Sequence, residues 1–303
     1  MKKNPMKEKL AAGQPAFGVS VMIPSPQIVE MIAAAGFDWV LLDCEHGTLT
    51  LESVELMAGQ PSLGCSVMFP SPQIVEMLGF AGFDWVLLDC EHGSLAPADV
   101  EAMAMAADAV GITAIARPRT NSTADIQGVM DRGVMGVQVP HVNTAADARE
   151  VIAAVKYHPL GRRSLAAGTR AANYDAHGTL ADYVKAANDA TLIAIQLEDR
   201  EAIENIDELL KVDGIDVFFI GPSDLSQSMG FPGNPKEPVV AQAIDGSFRK
   251  MIAAGRTPGT PATGEAVRAV LDKGVRYIYT HLPRLMAASA KDYLAKAGRG
   301  SST

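Results

Sequence analysis

Cysteine is scarce in this 303-residue chain: Cys44, Cys65 and Cys90 occur with no CxxC spacing. That pattern excludes a disulfide framework or a cysteine zinc site, and all three read as small buried hydrophobes. Basic runs are missing as well. Lys+Arg 26 against Asp+Glu 35 leaves a net charge of −9, so the phosphate-neutralising footprint of a nucleic-acid or anionic-membrane binder is absent. Apolar stretches are broken by Asp, Glu, Gly or Pro well before the roughly 20 residues of a membrane span. The Lys-containing start leads into no apolar signal core, so the expected location is the cytoplasm. No GxGxxG occurs, which removes the dinucleotide-binding loop that an open, doubly wound sheet would carry.

What the chain does have is an ordinary globular composition, 48% hydrophobic and 20% charged, and a tandem repeat. Residues 18–57 recur as 64–103 with 29 of 40 positions identical, and GFDWVLLDCEHG stands in both copies unchanged. Removing one 46-residue unit leaves 257 residues, close to the typical length of a single (β/α)8 barrel. Residues 1–58 are therefore expected to form an N-terminal helix plus a surplus duplicated β-α-β unit, and 59–303 the barrel. The second copy is expected to supply the barrel strands, with His92 and not His46 at the site, because 97–110 offers a full helix into the next strand. The equivalent of that helix in the first copy stops at Gly59-Gln60-Pro61.

From the second copy onward, short Val/Ile/Leu-rich runs alternate with helical patterns, the signature of parallel βαβ units buried on both faces. Strands are expected at 66–69, 86–89, 113–116, 136–139, 192–197, 215–220, 257–260 and 277–280, giving an α/β fold, a closed (β/α)8 TIM barrel. Helices are expected at 73–81, 98–109, 145–156, 201–211, 239–254 and 265–273. The Gly-, Ala- and Arg-rich stretch 158–182 reads as a lid or interface element.

Chemistry-bearing residues collect where barrel enzymes build their sites, at the carboxyl ends of strands. Asp89, Glu91 and His92 end the second strand, Arg117 the third, Gln196 and Glu198 the fifth; His141 follows the fourth and Asp224 the sixth. Glu198 and Asp224 suit a hard divalent cation, Mg²⁺ or Mn²⁺, with positions left for substrate and water. As a pair in this setting they outrank two solvated loop carboxylates. Arg117, on an apolar strand, calls for a carboxylate or an enolate, or else an ion pair within the barrel. His92 is the general-base candidate, its ordinary pKa lying near neutrality. His141 reads as structural and Cys90 as a wall. No lysine falls on an expected strand, which excludes a Schiff-base aldolase and assigns carbonyl polarisation to a metal.

The motifs GFDWVLLDCEHG, IARP, MDRG, VPHVNTAADAREV, YHPLGRRS, IAIQLEDREAIENI and FFIGPSDLSQSMGFPGNP together resemble the HpcH/HpaI family of metal-dependent pyruvate aldolases. The likeness spans nearly the whole chain apart from one repeat copy. It implies a class II aldolase, a lyase that cleaves a 4-hydroxy-2-oxo acid to pyruvate and an aldehyde, with Co²⁺ or Zn²⁺ as further metal candidates. It also implies a homo-oligomer, a hexamer of dimers that exchange the last helix. By the family pattern Glu198 and Asp224 hold the metal, Arg117 and Gln196 contact pyruvate, and His92 is the base, with Asp131 cooperating. Backbone N–H groups at Gly221 and Ser223 meet the substrate carboxylate. From connectivity alone, Asp131, at a helix end, belongs toward the opposite barrel face. The eighth strand departs from the family, since YIYTHLPR replaces a glycine-containing ending and places His281 where it would alter the aldehyde pocket. Two other readings compete. One is an acyl-CoA lyase of related barrel chemistry, with Arg162, Arg163 and Arg170 as the cationic cluster for CoA phosphates. The other is a non-catalytic assembling protein inactivated by the duplication.

Overall fold

The computed structural model describes residues 12–13, 18–21, 39–42, 61–176 and 178–296. The chain divides into two compact units, Met1–Pro61 and Ser62–Thr303. In the first, β1 (Gly18–Val21) pairs in parallel with β2 (Trp39–Leu42), Gly18 opposite Trp39. The repeated residues Gly64 and Trp85 take the same register in the second unit. His46, Cys44 and the N-terminal helix lie outside the described residues.

The second unit is a closed barrel of eight parallel strands: β3 (Ser62–Val67), β4 (Trp85–Asp89), β5 (Thr113–Arg117), β6 (Gly136–Val139), β7 (Leu192–Leu197), β8 (Val217–Ile220), β9 (Thr257–Pro261) and β10 (Tyr277–His281), with β10 closing on β3. Parallel strands covered on both faces need apolar residues at every position, and all residues of β4, β6 and β8 are buried. Between them run α1 (Pro72–Phe80), α2 (Pro97–Val110), α3 (Thr123–Met130), α4 (Ala145–Val155), α5 (Leu180–Ala190), α6 (Arg200–Glu204), α7 (Ile206–Leu209), α8 (Pro222–Ser228), α9 (Pro238–Ala253) and α10 (Ala266–Asp272), with α11 (Leu282–Lys296) following β10. Their starts are written in the sequence. Ser71 and Ser122 accept the N3 amides of α1 and α3, while Thr144 with Asp147 and Thr179 with Asp182 form reciprocal caps on α4 and α5.

The barrel interior is a separate core of Trp85, Leu87, Ile115, Ala194, Val217, Phe219, Tyr277 and Tyr279. Trp85 stacks on Tyr277 at 4.2 Å, and Phe219 on Tyr279 at 5.2 Å. A Cβ at Gly64 would fall 2.2 Å from the Trp85 ring, so the strand carries glycine where the indole fills the barrel floor. Truncating an aromatic this buried, as in Trp85→Ala, costs about 3–5 kcal/mol. The side chains that continue these inward rows at the carboxyl end are Asp89, Arg117, Gln196 and His281, and there the interior turns from apolar to polar.

Two expectations need revision. The first barrel strand is Ser62–Val67 rather than 66–69, since Gly64 sits inside the strand instead of before it. The helix expected over 201–211 is two short helices that meet at Asn205, whose side-chain amide donates to the Asn143 carbonyl. The segment 158–182 holds a short 3-10 turn, Arg170–Asp175, and the start of α5. It is pinned by ion pairs from Arg162 to Glu150, Arg163 to Asp131, and Arg170 to Asp108. Among the described residues, no helix is long and apolar enough to cross a membrane.

Candidate active site at the carboxyl ends of the barrel strands

Asp89 and Arg117 end neighbouring strands and stand opposite one another in register. The Asp89 carboxylate is fully buried, and Arg117 is only 4% exposed. Arg117 donates Nε to Asp89 Oδ1 at 2.9 Å and Nη2 to Oδ2, a two-point fork that only a guanidinium can make. Asp89 Oδ1 also accepts the backbone N–H groups of Glu91 and His92, at 3.1 and 3.2 Å. These bonds shape the turn that lifts His92, with a half-exposed imidazole, above the barrel. Arg117 remains charged: burial works against the cation, but the bonds and charge of Asp89, with Tyr279 and Glu91 nearby, hold its pKa above the ordinary guanidinium value. Its third nitrogen, Nη1, lies 3.3 Å from Gln196 Oε1 and 3.2 Å from Glu91 Oε2.

A polar chain continues from there. Gln138 and Arg117 both donate to Gln196 Oε1, and Gln196 Nε2 donates to Glu198 Oε2 at 2.7 Å. Glu198 is 1% exposed, and its other oxygen accepts the backbone N–H of His141 at 3.0 Å. Both of its donors are neutral. Burial, then the charge of Glu91, push the Glu198 carboxyl above its usual range, and burial raises Glu91 likewise against the pull of Arg117 and His141.

His141 adopts φ 52 and sets Nδ1 2.9 Å from Asp199, while its Nε2 stands 3.5 Å from Glu91. Burial lowers its pKa, but the bond to Asp199 and the charges of Glu198, Asp199 and Glu91 outweigh that and raise it above the ordinary imidazole value. Ligand atoms of Glu91, His141 and Glu198 all lie within 4.8 Å of one another. Four carboxylates, Asp89, Glu91, Glu198 and Asp224, thus stand around one buried arginine; Asp224 acts on Glu91 by charge. That surplus of negative oxygen donors fits a divalent cation. Glu198 belongs both to this group and to the pair expected from sequence, whereas His141, read there as structural, and Glu91 were not expected as ligands.

The cavity over these groups measures about 180 Å³ and is lined by His92, Arg117, Gln196, Glu198, Phe219, Gly221, Pro222, Ser223, Asp224, Pro261, Tyr279 and His281. Six side chains or turns expected in the site, His92, Arg117, Gln196, Glu198, Asp224 and the Gly221–Ser223 turn, therefore converge. Gly221 has a steric reason: an added Cβ would lie 2.7 Å from Glu198 Oε2. Asp131 is not brought there. It caps the C-terminus of α3 and binds Arg163 at 2.7 Å. The lining holds no lysine and nothing from 158–182. The buried Lys156 instead donates to the carbonyls of Asn188 and Thr191. Cys90, expected as a wall, is not in this lining; it is buried elsewhere, its thiol pushed up to about 12 by burial. His281 is driven the other way, down to about 4, by burial and then by the charges of Arg284 and Arg117.

Known proteins carry the same architecture. The family model described as HpcH/HpaI aldolase/citrate lyase matches residues 63–274. A 4-hydroxy-2-oxo-heptane-1,7-dioate aldolase from Salmonella arizonae is 35% identical over 97% of this chain and 94% of its own length. The fold matches that of an HpcH/HpaI aldolase from Desulfitobacterium hafniense, with a TM-score of 0.74 at 24% identity over 82% of this chain and 97% of that one. It matches equally an HpcH/HpaI aldolase/citrate lyase family protein from Burkholderia cenocepacia, with a TM-score of 0.74 at 24% identity over 80% and 96%. The family-model match and the 35% identical relative show that the chain belongs to the HpcH/HpaI aldolase/citrate lyase family, whose aldolases are carbon–carbon lyases.

Proposed function

We propose that this protein is a class II aldolase that cleaves a 4-hydroxy-2-oxo acid to pyruvate and an aldehyde, and forms the same bond in reverse. The observation that carries the reading is the cavity itself, where a carboxylate surplus around Glu198 faces a single buried guanidinium, with no lysine to form a Schiff base. Glu198 and Asp224, which line the cavity together, would hold the divalent cation, and Glu91 and His141 cluster with Glu198 as further candidate ligands. When bound, Mg²⁺ or Mn²⁺ supplies Lewis acidity toward the 2-keto oxygen and the adjoining carboxylate; Co²⁺ and Zn²⁺ are the further candidates.

The chain's own groups do the rest. Arg117, tethered through two nitrogens to Asp89, presents Nη1 as a fixed positive edge, and Gln196 orients beside it, so pyruvate is bound by groups that need not rearrange. Backbone N–H groups at Gly221 and Ser223 receive the substrate carboxylate. His92 accepts the proton of the C4 hydroxyl; the electron pair left on that oxygen forms the aldehyde C=O; the C3–C4 bond breaks; and its electron pair stays on pyruvate as the enolate, stabilised by Arg117. Return of the proton held by His92 to C3 then releases pyruvate. No step in this scheme passes through Asp131, whose carboxylate is taken by Arg163.

The protein is proposed to act in the cytoplasm as a homo-oligomer, a hexamer by the resemblance, and equilibrium sedimentation tests that assembly. The acyl-CoA reading is less favoured, since the three arginines expected to serve it, Arg162, Arg163 and Arg170, are each paired with a carboxylate. Pyruvate release across a panel of 4-hydroxy-2-oxo acids, set against CoA release from acyl-CoA thioesters, tests the assignment. Pyruvate alone is expected, and CoA release without pyruvate would overturn it.

A further inference from the structure

His141 is held from two sides in a way that leaves one ring nitrogen free to bind. It follows β6 with φ 52, a left-handed conformation that residues other than glycine seldom take. Its backbone N–H donates to Glu198 Oε1 at 3.0 Å, which ties the loop to the wall of the site, and its Nδ1 stands 2.9 Å from Asp199 Oδ2. An ionised carboxylate only accepts, so Nδ1 carries the proton of that bond and the lone pair of the neutral ring lies on Nε2.

Nε2 faces Glu91 Oε1 at 3.5 Å. Two donor atoms that share one ion, each at about 2.0–2.2 Å from it, stand roughly 3–3.5 Å apart. Ligand atoms of Glu91, His141 and Glu198 all lie within 4.8 Å of one another. The other oxygen of Glu91, Oε2, is buried and accepts no hydrogen bond among the described residues. Asp199 behind His141 is thus placed as the carboxylate that fixes the tautomer and orientation of a metal-binding imidazole. The pair expected from sequence, Glu198 and Asp224, supplies oxygen donors alone, which suit Mg²⁺; a nitrogen beside them changes which ion the site prefers.

We propose that His141 Nε2 is a ligand of the divalent cation, positioned by Asp199, and that this nitrogen makes the site bind Zn²⁺ or Co²⁺ in preference to Mg²⁺. This rests on the reading above that a cation is held at Glu198, and it is independent of the substrate. Mg²⁺ keeps to oxygen donors and water, whereas the later first-row ions gain from an imidazole.

The test is a ratio of affinities. Dissociation constants for Zn²⁺, Co²⁺ and Mg²⁺ are measured by titration calorimetry on the metal-stripped wild type, His141→Asn, Asp199→Ala and Glu198→Gln, with Tm recorded for each. Asparagine tolerates the left-handed backbone but is too short to reach the Nε2 position. The preference for Zn²⁺ over Mg²⁺ is expected to fall roughly 10- to 100-fold in His141→Asn and about tenfold in Asp199→Ala. The Co²⁺-loaded wild type should also show a strongly shifted imidazole N–H proton resonance that His141→Asn lacks. An unchanged preference in His141→Asn would overturn the inference, leaving the histidine as an ion-pair partner of Glu91 and Asp199. If that variant fails to fold, absence of the shifted resonance from the Co²⁺-loaded wild type overturns it instead. Undiminished affinity for all three ions in Glu198→Gln would overturn the cation reading on which the inference rests.

Discussion

Arg117→Lys is the substitution whose cost can be worked most fully from the structure. Arg117 spends Nε and Nη2 on Asp89 and leaves Nη1 at 3.3 Å from Gln196 and 3.2 Å from Glu91, facing the cavity. A lysine ammonium keeps the charge but is a single point. Seated on Asp89, it vacates the Nη1 position; seated at the Nη1 position, it leaves a fully buried carboxylate with only the Glu91 and His92 amides. A hydrogen bond involving a charged group contributes about 1.5–3 kcal/mol. Loss of the Nη1 edge in the transition state therefore lowers kcat/KM by about 2 kcal/mol, roughly 30-fold. Arg117→Ala goes further, since an unpaired buried carboxylate costs about 3–5 kcal/mol of stability, or a Tm fall on the order of 10 °C for a barrel of this size. Coupled pyruvate detection gives the first quantity and thermal unfolding the second. Wild-type kcat/KM in Arg117→Lys would refute the role given to the fork.

Other expectations follow from the same geometry. His92→Ala should abolish cleavage whereas His46→Ala leaves it near wild type, because the second repeat supplies the barrel; steady-state assays of the pair decide this, and the reverse outcome would assign the site to the first copy. In Gly221→Ala the new Cβ crowds Glu198, so calorimetric metal affinity should drop at least tenfold while Tm shifts by only a few degrees. His281 should make stability pH-dependent. Its folded pKa, about 4, lies below the ordinary 6.5, so its contribution is full above pH 6.5 and is lost as pH falls toward 4. His281→Ala should flatten the fall of Tm across that window, and an unchanged slope would count against the burial described here.

Much of the barrel was legible because its strands are buried on both faces, and such strands are spelled as apolar runs. The expected 136–139 and 192–197 coincide with β6 and β7. The first barrel strand was misplaced because Gly64 resembles a breaker in sequence, whereas in the fold it makes room for Trp85. Residues on strand ends could be picked one by one, but contacts spanning long stretches of chain could not. Glu91 and His141 come beside Glu198 only through barrel closure, and the φ 52 that turns His141 toward Asp199 leaves no mark in the sequence. Asp131 shows the converse. The resemblance assigns it to cooperate with His92 while its helix-end position points away from the site, and the structure pairs it with Arg163.

Metal-dependent carbon–carbon cleavage in this cavity is the property on which every role above depends. Pyruvate release from a 4-hydroxy-2-oxo acid should be measured on the purified protein as prepared, after exhaustive chelation, and after Mg²⁺ or Mn²⁺ is restored, alongside Glu198→Gln. Activity is expected to vanish on chelation, to return with the metal, and to stay absent in Glu198→Gln. Undiminished pyruvate release from the metal-stripped protein or from the variant would contradict it.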